Sequence, residues 1–464
     1  MPTLKFDTNI IIPMKKSISL LTMLLLSILA FAMVPPSAAQ GYTIKELWVN
    51  PMQVNDVAVS KDGNYIAAVN NTGLYFFAWD SPNPRWWYLS GLGEKLLSVA
   101  ISANGQHVIV GNNTEGSIYY FGDCMGRSGL QAGNGYDWVS QNFVYYPPAG
   151  NNDVERRTID ISDNGEYVVV GGTGDRIYYF INCTTKSGVG VSWDWESWTW
   201  WLVHAVDMSP DGRYVVAGGP SPYSPEGVVS FFKDANLPGP HGPIWWNYSL
   251  GPIVDVAVSD DGYSVSAVSE FTGAPATLYY WANASNLSGD TNISANWSRL
   301  HAFSSVDMSS DGDRVVAGYY ELNVASLHYW DNARTLSGNN VTETWIRVPD
   351  LWVFDVGISD DGSLIVAGTG SPNCALFYTN DGTLVGNFTL DSPGYIVSMA
   401  GSGDSAAVGS SFADSLYFYK RIAPNPVGGE VLAFNGLMLL APYLALVLVA
   451  GTVAVGVLLR RRMP

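Results

Sequence analysis

Few side chains in this sequence have the residue types and the spacing that chemistry requires. No two of the five histidines are spaced as a metal-binding pair on one structural element; they are His107, His204, His241, His301 and His328. No Gly-x-Ser-x-Gly motif is present, and no phosphate-binding glycine loop precedes a helix. Acidic residues are numerous, so a catalytic pair of carboxylates remains an alternative. These residue types therefore favour a protein that is not an enzyme and that has no metal or cofactor. Catalysis is the alternative.

The densest aromatic stretch, "WDWESWTWW", has two interpretations. Its indoles could stack on sugar rings or on a flat cofactor. The same stretch also matches Trp86-Trp87 and Trp245-Trp246, which fall at the outer strand of other repeats described below. Packing of an outer strand is the favoured interpretation for this segment, which contains Trp193, Trp195, Trp198, Trp200 and Trp201.

An internal repeat defines the strands and turns on which any functional site must lie. "VDMSPDGRYVVAGG" begins at Val206, and "VDMSSDGDRVVAG" begins at Val306. Further copies bring the number to eight, the last one, "VSMAGSGDSAAVG", being the most divergent. The turn glycines recur roughly every forty to sixty residues, the period of a propeller blade. They are Gly63, Gly105, Gly165, Gly212, Gly262, Gly312 and Gly362.

Each copy predicts four strands. Two short apolar runs are joined by an Asp-Gly or Asn-Gly turn, an aromatic run follows, and a further apolar segment such as "RWWYLSG" or "WTWWLVHA" (Trp198 to Ala205) comes last. The eighth copy ends after its third strand, whereas an extra strand from Tyr42 to Asn50 precedes the first copy. We expect that strand to pair with Leu416 to Tyr419 and close the ring. The predicted fold is all-β, an eight-bladed propeller, with seven blades as the alternative.

The repeat resembles a known family. "SPDGRYVVAGG" followed by "LYYW" or "LHYWDN" is similar to the WD40 and YVTN-type β-propellers, from about Tyr42 to Arg421. The Gly-His dipeptide of intracellular WD40 blades is absent, and at the end of the aromatic run Trp-Asp survives only at Trp79-Asp80 and Trp330-Asp331. The chain therefore resembles the divergent, exported relatives, which include quinoprotein-like propellers. This resemblance implies the architecture and leaves the function open.

The two ends of the chain predict export and a membrane anchor. Residues 14–39 have two lysines, an apolar run and a small-residue cleavage site, which is typical of a signal peptide, and residues 1–13 are an upstream extension. The propeller is predicted at 40–421 and a Pro/Gly linker at 422–436. An uncharged apolar stretch at 437–459 predicts a transmembrane helix, and the arginines in the tail at 460–464 belong in the cytoplasm.

Composition indicates the kind of partner. A formal charge of -18 disfavours nucleic acid, since phosphates would be repelled, and leaves protein or glycan partners at the cell surface of a prokaryote, an archaeon being preferred. We expect glycosylation, because the chain has many Asn-x-Ser/Thr sites. These sites are Asn70, Asn112, Asn182, Asn247, Asn283, Asn286, Asn292, Asn296, Asn340 and Asn387.

The three cysteines leave at least one unpaired. Cys124 and Cys183 follow equivalent strands, "IYYFGDC" and "IYYFINC", so they lie on neighbouring blades at a matching radius. Such positions are usually too far apart for a disulfide, but flexible loops leave the pairing open. Cys374 is expected to be free in either case.

One face of the predicted propeller is left clear of glycosylation sites in blades 4 to 7. The connections between second and third strands lie there and include the long loops "GPSPYSPEG", "EFTGAPA", "YYELNVA" and "GTGSPNC". Loops on a rigid scaffold commonly carry binding residues. We predict a binding face formed by Tyr223, Glu226, Glu270, Phe271, Tyr320, Glu321 and Trp352.

Three functions follow from these observations. A membrane-anchored surface propeller for adhesion, envelope assembly or partner binding ranks first. A quinoprotein-like oxidoreductase and a polysaccharide-binding or polysaccharide-cleaving propeller are the alternatives.

Overall fold

The computed structural model describes residues 42–423, apart from 92–93, 113–115, 132–134, 142–157, 172–175, 200–201, 222–225, 271–275, 290–291, 322–323, 348–351, 371–372 and 411–414. Thr43–Ile422 form one compact unit. The predicted signal peptide, most of the linker and the predicted transmembrane helix lie outside the described residues. Within the described part of the chain, no helix has both the length and the apolar character needed to cross a membrane.

The described residues form eight sheets, each built on four antiparallel strands, which follow in sequence order in blades 1 to 7; three of the sheets have a short fifth strand. Blade 1 has Asp56–Val59, Tyr65–Val69, Gly73–Ala78 and Trp86–Leu89; blade 2 has Leu96–Ile101, Val108–Asn112, Ile118–Phe121 and Trp138–Ser140. Blade 3 has Ile159–Ile161, Tyr167–Gly171, Arg176–Ile181 and Trp195–Trp198; blade 4 has Ala205–Met208, Tyr214–Pro220, Gly227–Lys233 and Trp245–Leu250. Blade 5 has Ile253–Val258, Ser264–Ser269, Thr277–Ala282 and Trp297–Leu300; blade 6 has Phe303–Met308, Val315–Glu321, Val324–Trp330 and Trp345–Arg347. Blade 7 has Trp352–Ile358, Leu364–Gly370, Cys374–Thr379 and Leu384–Thr389; blade 8 has Ile396–Met399, Ser405–Ser410 and Ser415–Ile422, with Thr43–Asn50 as its outer strand.

The predicted ring closure is confirmed. Thr43–Asn50 pairs antiparallel with Ser415–Ile422, with Glu46 opposite Tyr419 and Val49 opposite Tyr417. The first strands of neighbouring blades contact one another around the ring, so they line its central channel. The fold is thus the eight-bladed propeller rather than the seven-bladed alternative.

The outer strand of blade 3 begins earlier than predicted. The expected segment was Trp198 to Ala205, but the observed strand is Trp195–Trp198. Trp195 is buried and stacks on Tyr179 with ring centroids 4.8 Å apart. Because burial of this large ring decides which residue enters the sheet, the strand starts at Trp195, and Trp198 remains half-exposed.

A tryptophan on most outer strands ties its blade to the next one. Each indole N–H donates to a backbone carbonyl of the following blade at 2.7–2.9 Å. The donors are Trp48, Trp86, Trp138, Trp195, Trp245, Trp297 and Trp345, and the acceptors are Trp79, Cys124, Cys183, Ala235, Ala284, Ala333 and Asn380. The aromatic richness of the chain therefore serves inter-blade packing.

The exposed edges of three outer strands are covered by short parallel segments from the next blade. Gly129–Gln131 pairs with blade 1, Gly188–Val189 with blade 2 and Gly338–Asn339 with blade 5. Covering an edge removes unpaired backbone groups that would otherwise recruit another chain.

Aspartates on the first strands join neighbouring blades inside the channel. Each carboxylate accepts one backbone N–H from its own blade and one from the first strand of the next blade. These residues are Asp56, Asp160, Asp207, Asp255, Asp307 and Asp355. Buried backbone donors are costly to leave unpaired, so these carboxylates stabilise the ring.

Candidate binding face and a buried Ser-His-Glu network

The lower mouth of the channel is formed by the turns between first and second strands, and it is nearly uniform. In seven blades a serine hydroxyl donates to an Asp or Asn two residues later at 2.5–3.1 Å. The intervening residues hydrogen-bond from one turn to the next, as in Asp260 N to Ser310 O at 2.9 Å and Ser310 N to Asp360 O at 2.9 Å. This mouth is a hydrogen-bonded rim.

Lys61 lies at the centre of that rim among three carboxylates. Its Nζ is 2.9 Å from Asp360, 3.6 Å from Asp163 and 3.7 Å from Asp260, which come from blades 7, 3 and 5. Burial raises the pKa of Asp260 to about 6 despite the opposing charge of Lys61. Burial alone would lower the pKa of Lys61, but the hydrogen bond to Asp360 and the other two carboxylates raise it.

Asp160 and Asp207 form a coupled acid pair inside the channel. Burial raises the pKa of Asp160 to about 7, and burial together with the charge of Asp160 raises the pKa of Asp207 well above its usual range. Two neighbouring carboxyl groups inside a narrow channel cannot both ionise easily, so the pair holds a proton near neutral pH.

The upper mouth differs from blade to blade. In blades 2, 5, 6 and 7 the pairing of the first strand shifts by one residue, leaving a β-bulge at the channel entrance. The bulged residues are Leu97, Val254, Ser304 and Phe354. At the equivalent place, blades 1, 4 and 8 have Asn55, His204 and Tyr395. Bulges re-aim side chains and commonly occur beside functional sites.

An aromatic cluster occupies the upper mouth at blades 7 and 8. The rings of Phe354 and Tyr395 are 4.3 Å apart, and Trp352 meets Phe354 edge-on at 6.2 Å. All three side chains are partly exposed. We call Trp352, Phe354 and Tyr395 the mouth cluster. Large, rigid rings with one accessible side are common anchors for a bound partner.

His204 lies at the same mouth with a polar atom buried. Its Nε2 has no hydrogen-bond partner among the described residues. Burial lowers the pKa of His204 to about 4, so the ring is neutral at physiological pH.

The predicted binding residues are only partly brought together. Trp352 belongs to the mouth cluster, and Glu226 and Glu270 are exposed on blades 4 and 5. Tyr223 and Phe271 lie outside the described residues. Tyr320 and Glu321 were expected in a long loop, but their backbones belong to extended strands, with Tyr320 opposite Ala325 and Glu321 opposite Val324. The expectation of a loop was wrong because the β-propensity of "VVAGYYE" carries the strand to its end.

The predicted glycosylation sites divide by exposure. Asn70, Asn112 and Asn247 are buried, and the Oδ1 of Asn70 accepts from the backbone N–H groups of Thr72 and Gly73. The other sites are exposed: Asn182, Asn283, Asn286, Asn292, Asn296, Asn340 and Asn387. Asn182 and Asn283 also adopt left-handed backbone angles, with φ of 57° and 59°, before the short helices Cys183–Thr185 and Ala284–Asn286. Asparagine tolerates left-handed backbone angles, so the fold itself favours asparagine at these two positions, independently of glycosylation.

All three cysteines are buried and unpaired. Cys124 and Cys183 occupy the place of Ala235, Ala284 and Ala333, the small residues whose carbonyls accept the tryptophan N–H of the preceding blade. Packing against the tryptophan of the preceding blade therefore explains why the two cysteines occupy matching positions. Burial raises the pKa of the Cys183 thiol well above its usual range.

The third strand of blade 6 carries a network that the sequence analysis missed. Ser326 Oγ is 2.6 Å from His328 Nε2, and His328 Nδ1 is 2.7 Å from Glu343 Oε1. Arg299 Nε, from the outer strand of blade 5, lies 2.8 Å from the same carboxylate oxygen. Neither the spacing of the histidines nor a Gly-x-Ser-x-Gly motif marks this network in the sequence. The available signal was "SLHYW", where a histidine replaces the tyrosine of "LYYW".

Among the described residues, no group of three or more His, Cys, Asp or Glu side chains has the geometry to hold a metal ion.

Neither a family model nor a characterised protein sequence matches this chain. Several solved structures do match the chain in fold. The C-terminal WD40 domain of Sif2 is 12% identical, with a TM-score of 0.59, covering 82% of this chain and 98% of that one. The Dos1 propeller is 11% identical, with a TM-score of 0.57 and coverage of 81% and 95%. Chaetomium thermophilum Sqt1, solved bound to the N-terminus of ribosomal protein L10, is 13% identical, with a TM-score of 0.57 and coverage of 80% and 97%. At these identities the likeness shows a WD40-type β-propeller fold and nothing further.

Proposed function

We propose that this propeller is a binding scaffold that holds a segment of a partner protein at its upper mouth. The observation that carries the proposal is the mouth cluster, in which three partly exposed aromatic side chains meet at the end of a rigid channel. The first strands beneath it are fixed by the aspartate bridges, so the cluster is preorganised and loses little conformational entropy on binding.

A polypeptide is the partner that best suits this surface. Exposed Glu226 and Glu270 on neighbouring blades and a formal charge of -18 favour a basic segment. The Sqt1 propeller, which has a similar fold, was solved bound to the N-terminus of a ribosomal protein, so a propeller of this type can hold a terminal protein segment. A segment that crosses the mouth, with an apolar side chain for the mouth cluster at one end and basic side chains for Glu226 and Glu270 at the other, would suit both.

The test is site-specific crosslinking of the full-length protein in its native envelope. A photoreactive residue at Glu270 should capture a defined protein, identified by mass spectrometry. Adding Trp352→Ala and Tyr395→Ser should reduce the yield at least about tenfold, as expected for loss of aromatic anchors. Leu384→Ser is the matched control, because Leu384 is exposed on the outer strand of the same blade 7. Equal capture by all variants would contradict binding at the upper mouth.

We further propose that the scaffold works outside the cell, held by the apolar segment 437–459 after removal of 14–39. The seven exposed asparagines are then the sites accessible to glycans: Asn182, Asn283, Asn286, Asn292, Asn296, Asn340 and Asn387. Mass spectrometry of the mature chain should show Gln40 as its first residue. A mature chain that retains residues 14–39 would contradict export by cleavage.

A further inference from the structure

The Ser326–His328–Glu343 network has the connectivity of a nucleophile, a general base and a residue that orients the base. Glu343 lies beside Arg299, and its side chain is only 2% exposed. Burial would raise the pKa of Glu343, but the hydrogen bond from His328 and the charge of Arg299 lower it below its usual value. Glu343 is therefore ionised and can only accept a hydrogen bond.

The ionised carboxylate determines the tautomer of His328. Nδ1 must carry a proton to donate to Glu343 at 2.7 Å, so in the neutral ring Nε2 is the acceptor. Ser326 then donates its hydroxyl proton to Nε2 at 2.6 Å. This is the arrangement in which an imidazole removes a proton from an attacking hydroxyl.

The repeat shows that the fold does not need this network. At the position of His328, five of the other blades have a tyrosine, whereas blades 4 and 7 have Ser230 and Leu376. The tyrosines are Tyr75, Tyr119, Tyr178, Tyr279 and Tyr417. At the position of Glu343, blades 1 to 5 have Pro84, Tyr136, Trp193, Pro243 and Ala295. Blade 2 fills the same space with Tyr119 and Tyr136, whose rings are 5.2 Å apart. Because aromatic packing satisfies the fold there, the charged and polar residues of blade 6 require another explanation.

The surroundings limit what could react. Ser326 is 5% exposed and His328 is 1% exposed. The rings of Phe303 and His301 each lie 5.1 Å from the His328 ring. Because all three side chains are largely enclosed and the His328 ring lies against aromatic rings, a substrate of this network would have to be small and apolar at its acyl end.

We propose that Ser326 is a nucleophile that accepts acyl groups from small esters. Ser326 Oγ attacks the ester carbonyl carbon while His328 Nε2 takes the hydroxyl proton. The carbon–oxygen bond to the alcohol then breaks, and His328 returns the proton to the departing alcohol. Water, deprotonated by the same nitrogen, releases the acid and restores the serine. Ser326 and His328 are the catalytic residues, and Glu343 is a positioning residue.

Diisopropyl fluorophosphate is the direct probe, because it is small and its reaction needs only the nucleophile and the base. The Oγ–P bond forms, the P–F bond breaks, fluoride leaves and the proton goes to His328. Peptide mapping of the full-length protein should find one diisopropylphosphoryl group on Ser326. Ser326→Ala should abolish this adduct, and His328→Gln should slow its formation roughly a hundredfold or more.

Matched variants separate this chemistry from a structural role. Ser117 is the equivalent of Ser326 in blade 2, and its buried hydroxyl has no partner in the described structure, so it should stay unmodified. Glu343→Gln should slow labelling of Ser326 by on the order of tenfold or more, and Glu343→Asp, which keeps the charge, should recover part of the rate. Thermal unfolding by circular dichroism identifies variants that remain folded.

Two results would overturn the proposal. One is the absence of an adduct on Ser326 in the folded wild-type protein. The other is an adduct that forms equally fast in folded His328→Gln. Neither result bears on the mouth cluster, so partner binding and esterase chemistry succeed or fail separately.

Discussion

The two mouths of the channel are built from the same strands but differ in how uniform they are. At the lower mouth, seven turns contain the same serine-to-Asp/Asn hydrogen bond. At the upper mouth, equivalent positions hold residues as different as Asn55, His204, Val254 and Phe354. Within one chain, residues common to all blades mark what the fold requires. The residues that differ are the ones available for recognition.

The lower turns are uniform because each is packed against the preceding blade. The turn glycines have φ between 63° and 76°. A Cβ at Gly262 would lie 2.3 Å from the ring of Tyr214, and one at Gly212 would lie 2.6 Å from the ring of Tyr167. Both the backbone angle and the space therefore demand glycine.

Gly262→Ala should have the largest effect on stability. Alanine at this φ is strained, and its methyl group would clash with Tyr214. We expect the free energy of unfolding to fall by roughly 2–4 kcal/mol in urea titrations.

Gly129→Ala is the matched control for that measurement. Gly129 has a φ of 66°, but a Cβ there would meet nothing within 4 Å. Only the strain should remain, costing about 1–2 kcal/mol. Equal losses in the two variants would show that packing between blades does not explain the conserved turn.

The acid pair inside the channel should make stability depend on pH. The pKa of Asp160 is raised to about 7 and that of Asp207 is raised well above its usual range, so the folded state binds more protons than the unfolded state between about pH 4 and pH 7. These groups therefore stabilise the fold at low pH, and the contribution of each group falls by up to about 1.4 kcal/mol per pH unit as the pH rises through that range.

Asp207→Asn tests this dependence. The amide is neutral at every pH and can donate to Asp160 in place of the shared proton. The unfolding free energy of the variant, measured from about pH 5 to about pH 8, should decline less with rising pH than that of the wild type. Parallel curves would mean that the pair is not protonated in the folded state.

Much of the fold could be predicted from sequence because repetition carries the information. Asp-Gly turns and apolar runs recur in register, so the blade number and the closing strand follow without any knowledge of contacts. The start of the blade 3 outer strand could not be predicted in the same way. Five tryptophans in nine residues offer several registers, and burial against Tyr179 selects Trp195.

The candidate sites were less predictable, because they depend on contacts across blades. Trp352 was predicted from the sequence, whereas Phe354 and Tyr395 are close only after blades 7 and 8 pack together. Ser326 and His328 are two residues apart on one strand, but Glu343 comes from the next segment and Arg299 from blade 5. Residue spacing alone does not reveal such a set.

Lys61→Met should have the smallest effect of the three stability variants, and its pH dependence makes it informative. The variant leaves Asp163, Asp260 and Asp360 without their central cation, but these side chains are 37–44% exposed, so water screens much of the repulsion. We expect a loss of at most about 1 kcal/mol near neutral pH. The loss should decrease towards about pH 4, because burial raises the pKa of Asp163 and Asp260 and both then become protonated, and it should shrink in concentrated salt. Lys45→Met, at an exposed position of the strand that closes blade 8, should change stability little at any pH. A loss that persists at low pH would mean that Lys61 stabilises the lower mouth by packing of its alkyl chain rather than by its charge.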